Sequence, residues 1–255
     1  MYVLTLDSCY VILRYMIKSL IDLLYPPICQ VCEEKIESGS SALCENCSKR
    51  IEERLPPFCE KCGKELFGEA REHELCLDCK TSKVYLDRAR SILHYNEPLK
   101  KIIHNLKYKK MTSSLKDLVD IAVAFIRKNN FSSNCDIITS IPMHPARFFK
   151  REINLSSLLA KQIAKTINKP YCEGILKKIK LSTPQSYLKR EKRIKNIKGS
   201  FSIDKTKAHA IIDKNVLLID DLYTTGSTLN ECAKMLKSSG SKKVEALTIA
   251  RGSNL

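Results

Sequence analysis

Two adjacent carboxylates, Asp220 and Asp221, end the apolar run "VLLI", and five of the next seven residues are Thr, Gly or Ser. Carboxylates accept hydrogen bonds from hydroxyl groups and hold divalent cations such as Mg2+. A loop of Thr224, Thr225, Gly226, Ser227 and Thr228 offers hydroxyls, and one glycine allows positive φ and close backbone approach. If that loop opens a helix, its free N–H groups and dipole favour an anion. Carboxylates repel a phosphate, so they must face a neutral or cationic part of the same ligand. Phosphate, vicinal diol and metal together describe a ribose 5-phosphate derivative. The bland alternative is an Asx-turn with a helix cap and no ligand; two acids beside this whole string weaken it. With eight glycines, the chain has neither G-x-x-x-x-G-K-[ST] nor G-x-G-x-x-G.

A second chemistry lies in the cysteines. Of twelve, eight form four CxxC pairs: Cys29/Cys32, Cys44/Cys47, Cys59/Cys62 and Cys76/Cys79. Two thiolates on one tight knuckle can face one ion, and two knuckles complete a tetrahedral site with Zn–S of ~2.3 Å. The spacings, C-x2-C-x11-C-x2-C and C-x2-C-x13-C-x2-C, suit zinc ribbons. Four thiolates leave no open position, so the two Zn2+ ions are structural. "PPICQVCEEKI" is echoed by "PPFCEKCGKEL", as in a duplicated module. Sequential sites are the simple expectation, with cross-braced pairing open. His73 is expected at the surface.

Disulfides would need an oxidising compartment. The opening 27 residues argue against one, because Asp7, Arg14, Lys18 and Asp22 interrupt the apolar run. It is too short for a transmembrane span, and its charges are misplaced for a signal peptide. Leu13, Ile17, Leu20, Ile21 and Leu24 have helical spacing. An amphipathic helix ending at Pro26 and Pro27, packed on its neighbour, is expected, and the chain is expected to be cytoplasmic.

These residues need a scaffold. "RARSILHY", "CDIITSIP", "NVLLIDD" and "KVEALTIAR" read as strands, and "EPLKKIIHNLKY", "SLKDLVDIAVAFIRK", "NLSSLLAKQIAKTI" and "STLNECAKMLKSSG" as helices. Asn154 is expected to cap one helix, and Ser227 or Thr228 to start another. Alternation implies an α/β fold with a parallel sheet, whose ligands sit beyond the carboxyl ends of the strands. The organisation expected is residues 1–25 as the helix, 26–83 as a double zinc-ribbon domain, and 84–255 as the larger domain. A net charge of +16, from 44 basic and 28 acidic residues, suits an anionic partner or a solvated lysine-rich surface. The 7% aromatic content, without tryptophan, does not favour a base-stacking surface.

The stretch 216–229 resembles the phosphoribosyl pyrophosphate motif of type I phosphoribosyltransferases. With "LLYPPICQVC", "EPLKKIIHNLKYK", "IPMHPARFFKREIN" and "TPQSYLKREKRIKNIKGSF" in order, the chain resembles the ComF family. Its members are competence-associated proteins with a zinc-binding N-terminus and a phosphoribosyltransferase-like domain. The resemblance implies a type I phosphoribosyltransferase-like parallel sheet flanked by helices, binding phosphoribosyl pyrophosphate with Mg2+ and acting in DNA uptake. It assigns the ribose hydroxyls to Asp220 and Asp221 as the catalytic pair, and the 5-phosphate to Thr224, Thr225, Gly226, Ser227 and Thr228. Pyrophosphate would meet the turn of Ile141, Pro142, Met143 and His144, with Arg147 and Arg151 nearby. His144 could act on it or be an ordinary loop histidine. A lid over 182–199 would carry Arg190, Lys192 and Arg193. Where the family commonly has Arg-Gly-Phe-Asn-Gln, this chain has Arg151, Glu152, Ile153, Asn154 and Leu155. The reaction implied is pentosyl transfer to a nitrogen nucleophile. In the alternative, the zinc ribbons and the basic run "KREKRIKNIK" contact single-stranded DNA, and the sugar-phosphate site is regulatory or vestigial. DNA-uptake proteins such as a helicase are the partners either way.

Overall fold

The computed structural model describes residues 26–37, 41–68, 74–109, 111–147, 153–181 and 197–252, and positions 13, 16, 17, 20 and 24. The cysteine pairs come first and build the same knuckle twice. Cys29 N–H donates to the Glu34 carbonyl and Cys59 N–H to that of Lys64, at 2.8 and 2.7 Å. Ile36 N–H closes on the Pro27 carbonyl and Leu66 N–H on that of Pro57, both at 2.9 Å. The third cysteine of each unit is then a helix N-cap: Cys44 before α1 (Glu45–Lys49) and Cys76 before α2 (Leu77–Thr81). The fourth follows on the first helical turn, on the same side.

The copies differ where the second meets the sheet. Glu33 and Gly63 occupy the same knuckle position, at φ 68° and 65°. A Cβ on Gly63 would lie 2.5 Å from the Ala89 carbonyl oxygen, so close approach, more than the dihedral, demands glycine there.

The sheet is four-stranded and wholly parallel, in the order β1 (Arg88–His94), β6 (Lys243–Arg251), β5 (Asn215–Tyr223), β2 (Ile137–Ser140). β5 and β6 are almost continuously buried, as strands covered on both faces must be. Alternation divides their side chains. Leu217, Ile219, Leu247 and Ile249 join one core, beneath α3 (Glu97–Tyr108), α4 (Leu115–Lys128) and α5 (Leu155–Thr166). Val216, Leu218, Val244 and Ala246 join the other, beneath α6 (Ser227–Ser238) and the antiparallel hairpin of β3 (Leu176–Lys178) and β4 (Phe201–Ile203). Cys29 and Cys47 belong to the first core, and Cys59, Cys62, Cys76 and Cys79 to the second. Each fully buried Leu or Ile contributes roughly 1.5–3 kcal/mol.

Two expectations are corrected. Leu13, Met16, Ile17, Leu20 and Leu24 are helical, but at 51–69% exposure these side chains are not buried as a packed apolar stripe would be. Ile21 lies outside the described residues, as do His73, Arg151, Arg190, Lys192 and Arg193. Asn154 stands at the N-cap of α5, yet its side chain does not cap the helix. It donates from Nδ2 to the Ile141 carbonyl at 3.1 Å and so ties the turn after β2 to α5. Among the described residues no helix is long and apolar enough to cross a membrane.

Candidate functional site

β2 and β5 are adjacent and parallel, so their carboxyl ends open side by side. A cavity of about 210 Å3 lies there. Ile141, Pro142, Met143, His144 and Arg147 line it from the β2 side, and Asp220, Asp221, Thr224, Gly226 and Thr228 from the β5 side. Segments separated in sequence thus share one chamber. Thr225 and Ser227 instead line a second cavity of about 470 Å3, between the loop and the second ribbon. Their hydroxyls face each other at 2.9 Å.

The acid pair is buried, with Asp220 at 9% and Asp221 at 8% exposure. Ser156, on the first turn of α5, donates its hydroxyl to Asp220 Oδ1 at 2.7 Å and lies 3.4 Å from Asp221 Oδ1. Asp221 N–H also donates to Asp220 Oδ1, at 2.9 Å. Both acids therefore sit at the positive end of a helix dipole. Burial, then the Asp221 charge, pushes the Asp220 carboxyl up to about 7. Burial acts on Asp221 in the same direction, but the Lys107 ammonium overrides it and holds Asp221 below the usual carboxylate range. Lys107 reaches Asp221 Oδ2 from the end of α3. Burial lowers the pKa of its ammonium, but the two acids more than offset that and raise it.

Lys107, Ser156 and Lys178 are cavity residues that the sequence reading missed. Lys107 lies one helical repeat beyond Ile103 on the buried stripe of α3. A lysine on such a stripe is the signal that was there to find. Lys178, from β3, has its ammonium depressed by burial and by the Arg147 charge. His144 Nδ1 accepts the Ala146 N–H at 3.1 Å, which assigns the ring proton to Nε2.

The loop turns at Gly226, the N-cap of α6, with φ 75°. A glycine N-cap has no side-chain acceptor, and the helix begins at Ser227, as the sequence led one to expect. The Tyr223 hydroxyl occupies the space a Cβ on Gly226 would need. Arg251 lies over the Tyr223 ring, 4.1 Å from its centroid, and donates to the Cys62 carbonyl at 2.7 Å.

The cysteines form two clusters, Cys29/Cys32/Cys44/Cys47 and Cys59/Cys62/Cys76/Cys79, with all sulfurs of a cluster within 4.8 Å of one another. The pairing is sequential, not cross-braced. Val31, Cys47 and Cys76 N–H groups aim at Cys29, Cys44 and Cys59 Sγ at 3.4, 3.4 and 3.3 Å, and such bonds favour thiolates. Four soft ligands at this spacing fit tetrahedral Zn2+.

Residues 20–80 match the double zinc ribbon domain and residues 154–254 the phosphoribosyl transferase domain. Competence protein F of Haemophilus influenzae is 29% identical over 179 residues, which are 69% of this chain and 78% of that protein. DNA utilization protein YhgH of Escherichia coli is 25% identical over 182 residues, 70% of this chain and 78% of that one. Competence protein ComFC of Bacillus subtilis is 28% identical over 195 residues, 70% and 73%. Among solved structures, a hypoxanthine phosphoribosyltransferase of Staphylococcus aureus aligns with TM-score 0.36 and 19% identity, over 60% of this chain and 72% of that one. The chain is similar over about two thirds of its length to Competence protein F, YhgH and ComFC, and in it a zinc-binding region precedes a parallel α/β domain resembling the phosphoribosyltransferases.

Proposed function

We propose that the cavity between β2 and β5 binds phosphoribosyl pyrophosphate with Mg2+ and that the chain is a phosphoribosyltransferase acting in DNA uptake. The observation that carries this is the junction of the buried pair Asp220 and Asp221 with a Gly226-centred loop at the start of α6, facing the 141–144 turn across one chamber. Asp220 and Asp221 accept the ribose hydroxyls. The 224–228 loop and the N-terminus of α6 hold the 5-phosphate. The 141–144 turn, with Arg147 and Arg151, receives pyrophosphate, and Arg190, Lys192 and Arg193 belong to the lid. Mg2+, when bound, neutralises the departing pyrophosphate.

The step breaks the bond from the anomeric carbon to the pyrophosphate oxygen and forms one to a nitrogen nucleophile, which gives up a proton. In the transition state charge spreads over an oxocarbenium-like ring. The chain's part is to orient the sugar and to stabilise charge with groups already fixed. The relatives' names, Competence protein F and DNA utilization protein, support the setting in DNA uptake. Calorimetry tests the reading: Mg2+-dependent heats with phosphoribosyl pyrophosphate, lost in Asp220→Asn/Asp221→Asn. Equal heats for variant and parent would sink it.

A second reading draws on the cavity beside the second ribbon, lined by Lys83, Lys198, Lys234 and Arg251. There the chain binds single-stranded DNA alongside DNA-uptake proteins such as a helicase, and the sugar-phosphate site is regulatory. DNA affinity should then fall steeply as salt rises; affinity indifferent to salt rejects it.

A further inference from the structure

The acid pair poses an electrostatic problem for the ligand proposed above. A buried acid pair with Asp221 held ionised repels a sugar that carries phosphates at both ends. A divalent cation is the usual remedy, bridging carboxylate and phosphate oxygens. This chain also carries a cation of its own in that position. The Lys107 ammonium meets Asp221 Oδ2, with side-chain exposures of 21% and 11%. Its placement is enforced from the far side of α3, where Asn105 Nδ2 donates to the Gln30 carbonyl at 3.0 Å and Lys101 Nζ to the Val31 carbonyl at 2.6 Å. The first ribbon thus clamps the helix that delivers Lys107. An ammonium has three donors, and an ion pair with one carboxylate oxygen leaves others to point into the chamber.

We propose that Lys107 is a ligand-binding residue of this cavity: its ammonium, held by Asp221, contacts the anionic oxygens beside the anomeric carbon and supplies part of the neutralisation that a divalent cation gives to an acid pair alone. This rests on the sugar-phosphate reading. It adds to that reading a lowered demand for Mg2+. Arg147 and Lys178 line the same chamber.

The test is calorimetric titration of the full chain with phosphoribosyl pyrophosphate over a Mg2+ series starting at none. No chelator is added, so the cysteine clusters keep their metal. The parent should bind without Mg2+ within about tenfold of its affinity at saturating Mg2+. Lys107→Met should lose at least a further tenfold without Mg2+ and recover as Mg2+ rises. Lys107→Gln keeps a donor to Asp221 without the charge and should behave like Lys107→Met; it serves if the methionine variant does not fold. Lys107→Arg should follow the parent. Ribose 5-phosphate, which has no diphosphate on the anomeric carbon, should bind parent and Lys107→Met alike.

Identical Mg2+ dependence in parent and neutral variants overturns the proposal. So does a loss that is equal at every Mg2+ concentration, which marks a structural role only. If the parent binds only with Mg2+, Lys107 falls and the sugar-phosphate reading stands. If the parent binds at no Mg2+ concentration, the sugar-phosphate reading falls and Lys107 with it.

Discussion

At Gly226 two constraints meet in one residue: φ is 75°, and the Tyr223 hydroxyl fills the place of a Cβ. Gly226→Ala must displace Tyr223 as well as strain the turn. It should weaken binding of phosphoribosyl pyrophosphate at least tenfold by calorimetry, and Tyr223→Leu in the same chain should restore part of the loss by vacating the space. Asp220 offers a pH signature. Its folded value is raised to about 7, above that of an unfolded carboxylate. Between the two values the folded chain keeps a proton that the unfolded chain has lost, so this group's contribution to stability falls as pH rises through that window. Asp220→Asn is spared that loss. Its thermal midpoint should match the parent near pH 3, below both values, and exceed it near pH 8. The ceiling is about 4 kcal/mol, the free energy of three pH units. A midpoint gap that does not change with pH counts against a raised Asp220.

At the scale of elements, the Asn230 side chain ties α6 to the chain that leaves the second ribbon. Asn230 Oδ1 accepts the Tyr85 N–H at 2.7 Å, and its Nδ2 donates to the Lys83 carbonyl at 3.0 Å. Asn230→Ala leaves both backbone groups without this partner and should cost about 1–3 kcal/mol in urea denaturation. The β5–loop–α6 unit was legible in sequence because its strand, acids, turn and helix are contiguous. The CxxC knuckles were legible for the same reason, and the sulfur clusters also answered which pairs combine. Lys107, Ser156 and Lys178 were not. They arrive from α3, α5 and β3, and what makes them site residues is a contact made only across the fold. β3 and β4 were hidden differently. Each has three residues, too few for an alternation to register, and they lie at the two ends of a segment that read as one basic loop. Asn154 shows a third kind of miss: its place at a helix start was readable, but its bond to Ile141 depends on where β2 ends.

Across the whole molecule, each ribbon buttresses a different half of the chamber. The first holds α3, and with it Lys107 and the acid pair. The second reaches the 224–228 loop through Arg251 and Tyr223. Both clusters also belong to the hydrophobic cores beneath the sheet. Metal removal should therefore destabilise the chain as one unit instead of melting residues 29–79 alone. The expectation is two zinc ions per chain by metal analysis and a single calorimetric unfolding transition, shifted down after chelation. Fewer than one zinc per chain, or a separate early transition confined to the ribbons, contradicts it.

The order of the strands has a consequence for biogenesis. β6 lies between β1 and β5, and Arg88 is aligned with Glu245. While a ribosome is still making the intervening chain, β1 has no partner on that edge, and β5 emerges with only β2 to pair with. The cysteine knuckles, made earlier and closed by contacts a few residues apart, can take up metal while the sheet is still waiting. Pairing over such separations is slow and leaves strand edges bare during synthesis. A zinc-loaded N-terminal segment would then be the first folded surface on which β1 and the later strands assemble.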